Sequence, residues 1–176
     1  MKRHGIVGAA ALAGVLAGRT AGIGGPDVAE AARADIGDIV VEKAGAGESR
    51  KGKVFAAIHA HLDDIPYYCA GTCARFVEEG ATGYIIRTTN DERCGPGTIM
   101  RNIKSNEAEH VKMAKSIGIA DTFDFYYRNH DMNAISSLEL RWRLITLFRH
   151  LKVDIVLTFN PWGPGEENPD HWMTAR

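Results

Sequence analysis

The fold of this chain is indicated first by residues 54–64, which read VFAAIHAHLDD. Residues 54–58 form a short apolar run, which is typical of a strand. The tetrad His61-Leu62-Asp63-Asp64 follows almost at once. Pro66 then suits the first turn of a helix, where its missing N–H costs nothing. The stretch therefore predicts a strand, a polar turn and a helix in succession.

Strands and helices alternate along the rest of the chain. Gly80 and Gly118 suit the ends of two helices, because glycine readily adopts the left-handed conformation found there. The pattern predicts strands at about 53–60, 83–88, 122–126 and 153–159, and helices at about 66–79, 103–117 and 136–150. This order predicts an α/β fold with a mostly parallel sheet covered by helices.

The composition is that of an ordinary globular domain. The chain has 176 residues, of which 45% are hydrophobic and 24% charged. Lysine and arginine total 21 against 22 acidic residues, so the net charge is −1 and no basic field favours nucleic acid. The expected partners are therefore small molecules. Three cysteines make no disulfide framework.

The first residues have the pattern of an export signal. Residues 1–3 are basic, and residues 5–18 are apolar, uncharged and too short to span a bilayer. We expect a signal peptide over residues 1–34, a linker over 35–51 and a domain over 52–176, exported to the periplasm or outside the cell. The pair Arg3-His4 stands where a twin-arginine signal has two arginines, so the export route stays open. The alternative is an N-terminal helix packed on the domain.

Two polar clusters predict one metal site. The second cluster, residues 168–171 (NPDH), follows another apolar run at 154–159. Ligands of an open α/β sheet bind outside the carboxyl ends of its strands, where both clusters are expected. His61 and Asp64 are three residues apart at a turn, which lets both face one point, and His171 adds a third ligand. A catalytic zinc ion uses three such ligands and a water molecule.

Asp63 is the candidate general base of this site. Its side chain must diverge from that of its neighbour Asp64, so it is expected to face the metal-bound water, whose pKa the metal lowers toward about 7. Helix capping is the alternative for both clusters. Asp64 is a good N-cap before Pro66, and Asp170 is a good cap with His171 in the first turn.

The two clusters resemble the paired motifs of the PIG-L/LmbE-like deacetylases. That family has Ala-His-Pro-Asp-Asp where this chain has residues 60–64 (AHLDD), and His-Pro-Asp-His where it has NPDH. The resemblance covers about residues 52–176 and implies a Rossmann-like three-layer α/β/α sandwich. It further implies zinc-dependent removal of an acetyl group from an N-acetylglucosamine-type amino sugar. Zinc would be held by His61, Asp64 and His171, with Asp63 as base. The same ligands also suit Fe²⁺.

Three features depart from the family pattern. Leu62 replaces a proline. Asn168 replaces a histidine that helps to stabilise the tetrahedral intermediate; asparagine can donate a hydrogen bond there but cannot carry charge. Loss of one such donor costs about 2.7–4 kcal/mol. The chain also stops at Arg176, where family members continue, so we expect a truncated domain.

Residues around the expected site are candidates for contacting the substrate. Asn90, Asp91 and Glu92 follow the second strand and are candidates for binding sugar hydroxyls, with a solvated loop as the equal alternative. Trp162 is a candidate for stacking on a sugar ring, or else it anchors its own loop. Residues 127–131 are a polar run that is a further candidate lining. His59 alternates with His61 along a strand and is expected to point away or to lie a layer below.

Three hypotheses follow from the sequence. The first is a zinc-dependent hydrolase acting on an N-acyl amino sugar. The second is an exported carbohydrate-binding or catalytically inactive relative, which the substitution at Asn168 favours and the free carboxylate of Asp63 disfavours. The third is a nucleotide-binding module, which ranks last because the glycine-rich phosphate loop is missing after the first strand.

Overall fold

Four parallel strands form the centre of the fold in the computed structural model, which describes residues 47–176. The strand order is β3-β2-β1-β4, and every neighbouring pair is parallel. The strands are β1 (Val54–His59), β2 (Thr82–Thr89), β3 (Asp121–Tyr127) and β4 (Ile155–Leu157). The predicted α/β fold is confirmed. The predicted signal peptide and most of the predicted linker lie outside the described residues.

Helices connect the strands and cover both faces of the sheet. They are α1 (Asp64–Tyr68), α2 (Ala70–Glu78), α3 (Ile99–Ser116), α4 (Ser137–Leu151) and α5 (Pro169–Ala175), with a short 3-10 turn at Met132–Ala134. Within residues 47–176, none of these helices combines the length and the hydrophobicity that crossing a membrane requires.

Three predicted boundaries differ from the structure. The single helix expected at 66–79 is two helices, because Cys69 has a non-helical backbone with φ −144°. The helix expected from 103 begins at Ile99, because the Thr98 hydroxyl accepts the N–H of Arg101 and caps an earlier turn. The strand expected at 153–159 is shorter, since β4 pairs with β1 over only three residues.

The core has one apolar layer on each face of the sheet. Successive side chains of a strand point to opposite faces, so Phe55 and Ala57 pack towards α2 and α3, and Ala56 and Ile58 pack towards α4. His59 continues the first of these series and lies on the α3 side. Its ring is buried against that of His110, with centroids 5.4 Å apart. The ring of His59 therefore lies below the predicted site, where its Nδ1 contacts the carbonyl oxygen of His61, as one of the two expected positions has it.

A buried ion-pair network lies at the carboxyl end of β2. Arg87 is fully buried and donates to Asp124 at 2.7 Å and to Asp91 at 3.0 Å. The same oxygen of Asp91 accepts the N–H of Leu62 at 2.8 Å. The network therefore fixes the turn after β1 to the end of β2, and this turn carries the predicted metal ligands.

Replacing Arg87 with methionine is expected to destabilise the protein by about 3–5 kcal/mol, because it leaves the Asp91 and Asp124 carboxylates without their cation. The measurement is the free energy of unfolding from chemical denaturation. Arg149→Met, at an exposed position of α4, is the control and is expected to change stability little. Equal stability of the two variants would contradict this role of Arg87.

Candidate metal centre

The three predicted ligands converge at the carboxyl edge of the sheet. His61 lies just after β1, Asp64 is the first residue of α1, and His171 lies in the first turn of α5. One ligand atom from each residue lies within 4.8 Å of the other two. His61 and Asp64 are buried, and His171 is half-buried. Residues 110 positions apart in the sequence thus form one cluster.

The carboxylate of Asp64 is held by the backbone of the turn it follows. Its Oδ2 accepts the N–H of Ala60 at 3.0 Å and that of His61 at 2.7 Å, and its Oδ1 lies 3.3 Å from Nε2 of His171. Burial favours the neutral acid, but the hydrogen bonds of His171 and His61 outweigh it and lower the pKa of Asp64. Asp64 therefore faces the cluster as a carboxylate and is not the N-cap that the alternative proposed.

Each histidine of the cluster is anchored by a second carboxylate. His61 Nε2 donates to Asp170 at 2.9 Å, and His171 Nδ1 donates to Glu166 at 2.9 Å. The opposite nitrogens, Nδ1 of His61 and Nε2 of His171, then face each other at 3.1 Å. At that distance either a proton or a metal ion must lie between them, because two unprotonated nitrogens repel each other. Carboxylate-anchored imidazoles are typical of metal-ligating histidines, so the donor set fits a divalent metal ion.

Sequence reasoning missed the role of Asp170, which it treated only as a helix cap. The cap is Asn168, whose side-chain oxygen accepts the N–H of Asp170 at 3.0 Å, and Pro169 is the first helical residue. The carboxylate of Asp170 is fully buried and anchors His61. Nothing in the spacing indicated Glu166. The ring of Phe159, stacked on His171 at 4.3 Å, was also not predicted.

Replacing Asp170 with asparagine is expected to weaken metal affinity by about 10- to 100-fold. Asp170 accepts three hydrogen bonds, from His61, from the N–H of His130 and from the N–H of Met132, and one amide oxygen cannot accept them all. The measurement is a zinc titration against a competing chelator. Asp121→Asn, at the opposite edge of the sheet, is the control, and unchanged affinity in Asp170→Asn would exclude the anchoring role.

The metal-free protein is expected to lose stability as the pH rises from about 6.5 to about 10. Burial opposes the charged form of His61, but hydrogen bonds with Asp170 and Asp64 outweigh it and raise the pKa of His61 to about 10. A raised pKa stabilises the folded state fully below the unfolded value of 6.5, and this contribution is lost as the pH rises through 10.

The test is denaturant unfolding of chelator-treated protein across that pH range. His61→Asn should show a weaker pH dependence than the wild type, and parallel curves would contradict the prediction. Because a metal needs the unprotonated nitrogen of His61, its apparent affinity is expected to rise over the same interval.

The cluster forms one wall of a cavity of about 450 Å³. Asp63 also lines this cavity and is exposed, and its side chain does not cap α1. Asn168 lines the cavity too, and its amide nitrogen remains as the donor because its oxygen accepts the Asp170 N–H. The remaining lining residues are Tyr67, Tyr68, Cys94 and His130, with the three ligands themselves. The predicted ligands, base and oxyanion donor thus share one cavity.

The cavity is not lined by four of the predicted substrate contacts, Asn90, Asp91, Glu92 and Trp162, but it is lined by His130 from the polar run 127–131. Asp91 is fully buried and its carboxylate is used by Arg87 and the Leu62 N–H, so its predicted contact with sugar hydroxyls is corrected to a structural role. The amide oxygen of Asn90 accepts the N–H of Glu92 within its own loop. The side chain of Trp162 is 75% exposed and lies outside the cavity lining.

One known family model covers both motifs of the cluster. The family model PIG-L, described as GlcNAc-PI de-N-acetylase, matches residues 56–176. No curated protein matches the chain.

Several solved structures have the same fold. N,N'-diacetylchitobiose deacetylase from Pyrococcus horikoshii matches with TM-score 0.65 and 22% identity, over 69% of this chain and 46% of its own. The 4-carboxy-2-hydroxymuconate hydratase GalB from Pseudomonas putida matches with TM-score 0.61 and 20% identity, over 70% of this chain and 52% of the hydratase. The conserved protein TT1542 from Thermus thermophilus matches with TM-score 0.59 and 23% identity, over 69% of this chain and 51% of TT1542. The chain spans about half the length of these proteins.

Proposed function

This chain belongs to the PIG-L family, and we propose that it hydrolyses the amide bond of an N-acetylglucosamine-type amino sugar or conjugate, releasing the acyl group. The observation that carries the proposal is the cluster of His61, Asp64 and His171, whose two imidazoles are each anchored by a carboxylate. A cluster of this kind beside a cavity is the arrangement that metal-assisted hydrolysis requires.

The proposed cofactor is a divalent metal ion, with zinc first and Fe²⁺ as the alternative. Two imidazole nitrogens and one carboxylate oxygen are the ligand types of catalytic zinc sites, and they also suit iron(II). When bound, the metal supplies Lewis acidity, which polarises a carbonyl oxygen and lowers the pKa of water toward about 7. The chain supplies the ligands and the second carboxylates, Asp170 and Glu166, that orient them.

Asp63 is proposed as the general base. It is adjacent to Asp64 in the chain, is exposed and lines the same cavity as the cluster, which is where the attacking water would be bound. Asp63 accepts the proton of the attacking water, as a base held beside the reacting centre does. The amide nitrogen of Asn168 is proposed to donate a hydrogen bond to the carbonyl oxygen as negative charge develops on it.

The proposed substrate is an N-acetyl sugar because both the comparisons with known proteins and the cavity favour one. The family description names an N-acetylglucosamine conjugate, and one protein with this fold deacetylates N,N'-diacetylchitobiose. The cavity volume of about 450 Å³ lies within the range of small-molecule sites. The exposed rings of Tyr67 and Tyr68 at its wall offer apolar surface for a sugar ring.

The test is acetate release from N-acetylglucosamine and from N,N'-diacetylchitobiose by zinc-loaded protein. Acetate is expected with zinc present, and none is expected after chelation. Loss of release on chelation and its return with zinc would support metal dependence. If zinc-loaded protein releases acetate from neither sugar, these sugars are not its substrates.

A carbohydrate-binding relative without activity is the second candidate. The observation that favours it is Asn168, because an amide at this position cannot carry a proton or a charge. Binding of N-acetylglucosamine without acetate release, in protein that carries its metal, would support this candidate. Asp63 disfavours it, since binding alone does not require a free carboxylate beside the ligand carboxylate of Asp64.

A further inference from the structure

The loop after β3 brings a third histidine into the cavity. His130 lines the same cavity as His61, His171, Asp63 and Asn168. Its ring centroid lies 5.8 Å from that of His61, with an angle of 40° between the ring planes. A molecule bound at the metal cluster within this cavity is therefore next to the His130 imidazole.

The backbone that carries His130 is held by hydrogen bonds to two carboxylates. His130 has φ +62°, a left-handed conformation that few residues other than glycine adopt and that costs about 1–3 kcal/mol. Its N–H donates to Asp170 at 2.6 Å, and the N–H of Met132 donates to the other oxygen of Asp170 at 3.1 Å. The N–H of Asn129 donates to Glu92 at 2.9 Å. Two buried carboxylates thus hold this unusual conformation.

Asp170 also fixes His130 relative to the metal cluster. The Oδ2 atom that accepts the His130 N–H accepts Nε2–H of His61 as well, at 2.9 Å. The metal ligand His61 and the loop of His130 are therefore fastened to one buried oxygen. Such pre-organisation is found where a side chain must meet a ligand at a set distance.

The ring of His130 differs from the rings of His61 and His171 in its hydrogen bonding. His61 and His171 each donate one ring N–H to a carboxylate. Between residues 47 and 176, no hydrogen bond holds the ring of His130, and the residue is exposed in the cavity. Either tautomer of the imidazole presents one N–H, so the ring has a donor free for a ligand.

We propose that His130 contacts the substrate and donates a hydrogen bond to an oxygen of the acyl group that is bound at the metal cluster. This inference rests on the proposed function, because it assigns a contact within that site. His130 is then the second hydrogen-bond donor on the cavity wall, beside the amide nitrogen of Asn168. The chemical class that His130 recognises is a carbonyl, carboxylate or hydroxamate oxygen.

The test uses acetohydroxamate, which presents an acetyl oxygen without requiring that the sugar be known. Its dissociation constant is measured by calorimetry with zinc-loaded wild type, His130→Ala and His130→Gln, beside zinc content. Loss of one hydrogen bond to a charged group is expected to weaken binding about tenfold in His130→Ala. His130→Gln keeps an N–H and should recover part of the affinity. The control, His150→Ala on the exposed end of α4, is expected to bind as the wild type does.

Wild-type affinity in His130→Ala, with zinc content unchanged, would overturn the inference. Loss of zinc in that variant would also overturn it, because His130 would then act on the metal. Failure of the wild type to bind acetohydroxamate would likewise overturn the inference. If His130→Ala weakens acetohydroxamate binding while the wild type releases acetate from no sugar, the contact of His130 with an acyl oxygen stands and the proposed hydrolysis of sugars fails.

Discussion

Replacing His171 with alanine is expected to remove the bound metal and to lower hydrolysis by about 10³-fold or more. His171 supplies one of three ligand atoms, and the remaining pair, His61 and Asp64, is too small a ligand set for tight zinc binding. A metal contributes several kcal/mol to hydrolysis, and each 1.36 kcal/mol is a factor of ten in rate. The measurements are elemental analysis of the purified chain and acetate release. About one zinc ion per wild-type chain is expected, and close to none per variant chain.

His150→Ala is the matched control, since it removes an exposed histidine of α4 that is remote from the cluster. Its zinc content and activity should equal those of the wild type. Full zinc occupancy in His171→Ala would contradict a site that spans both motifs. Absence of zinc from the wild type would show that residues 1–176 do not assemble the site, and it would favour the binding relative.

Replacing Asp63 with asparagine is expected to lower kcat by about 10²- to 10⁴-fold while the zinc content stays unchanged. The substitution keeps the size of the side chain but removes its ability to accept a proton from water. Stability should hardly change, because the side chain of Asp63 is exposed and does not cap α1. The measurements are kcat, KM and zinc content of the same preparation.

Asp121→Asn provides the comparison, because this exposed carboxyl group begins β3 at the opposite edge of the sheet. It is expected to leave kcat unchanged. Equal activity of Asp63→Asn and the wild type would show that another group accepts the proton. A fall in zinc content would instead show that Asp63 acts on the metal. Asp63→Glu, which keeps the carboxylate, should restore part of kcat.

Much of the metal cluster was predictable from sequence because its positions follow from local pattern. An apolar run that ends in polar residues marks the carboxyl end of a strand, and in a parallel sheet all these ends lie at one edge. Residues 61–64 and 168–171 both follow such runs. Their convergence therefore needed only the alternation of strands and helices, which the structure confirms. The export of the chain stays a prediction.

Side-chain direction was less predictable, because it depends on contacts between distant segments. Asp91 was expected to face the substrate, but it turns inward to meet Arg87 from β2 and the N–H of Leu62 from the turn after β1. His130 was one of five residues, 127–131, that the sequence marked as a candidate lining, and no spacing singled it out. Its backbone is held in the cavity wall by Asp170, 40 residues later in the chain, together with Glu92.

The sequence by itself determined the parallel α/β sheet, and it predicted the positions of the three proposed ligands His61, Asp64 and His171, because strand ends and ligand types are local properties. The tertiary structure alone decided which groups orient those ligands. Asp170 anchors His61 from 109 residues away in the chain. Glu166, in the loop before α5, anchors His171 from only five residues away. Packing sets where each carboxylate points, and no spacing in the chain encodes that direction.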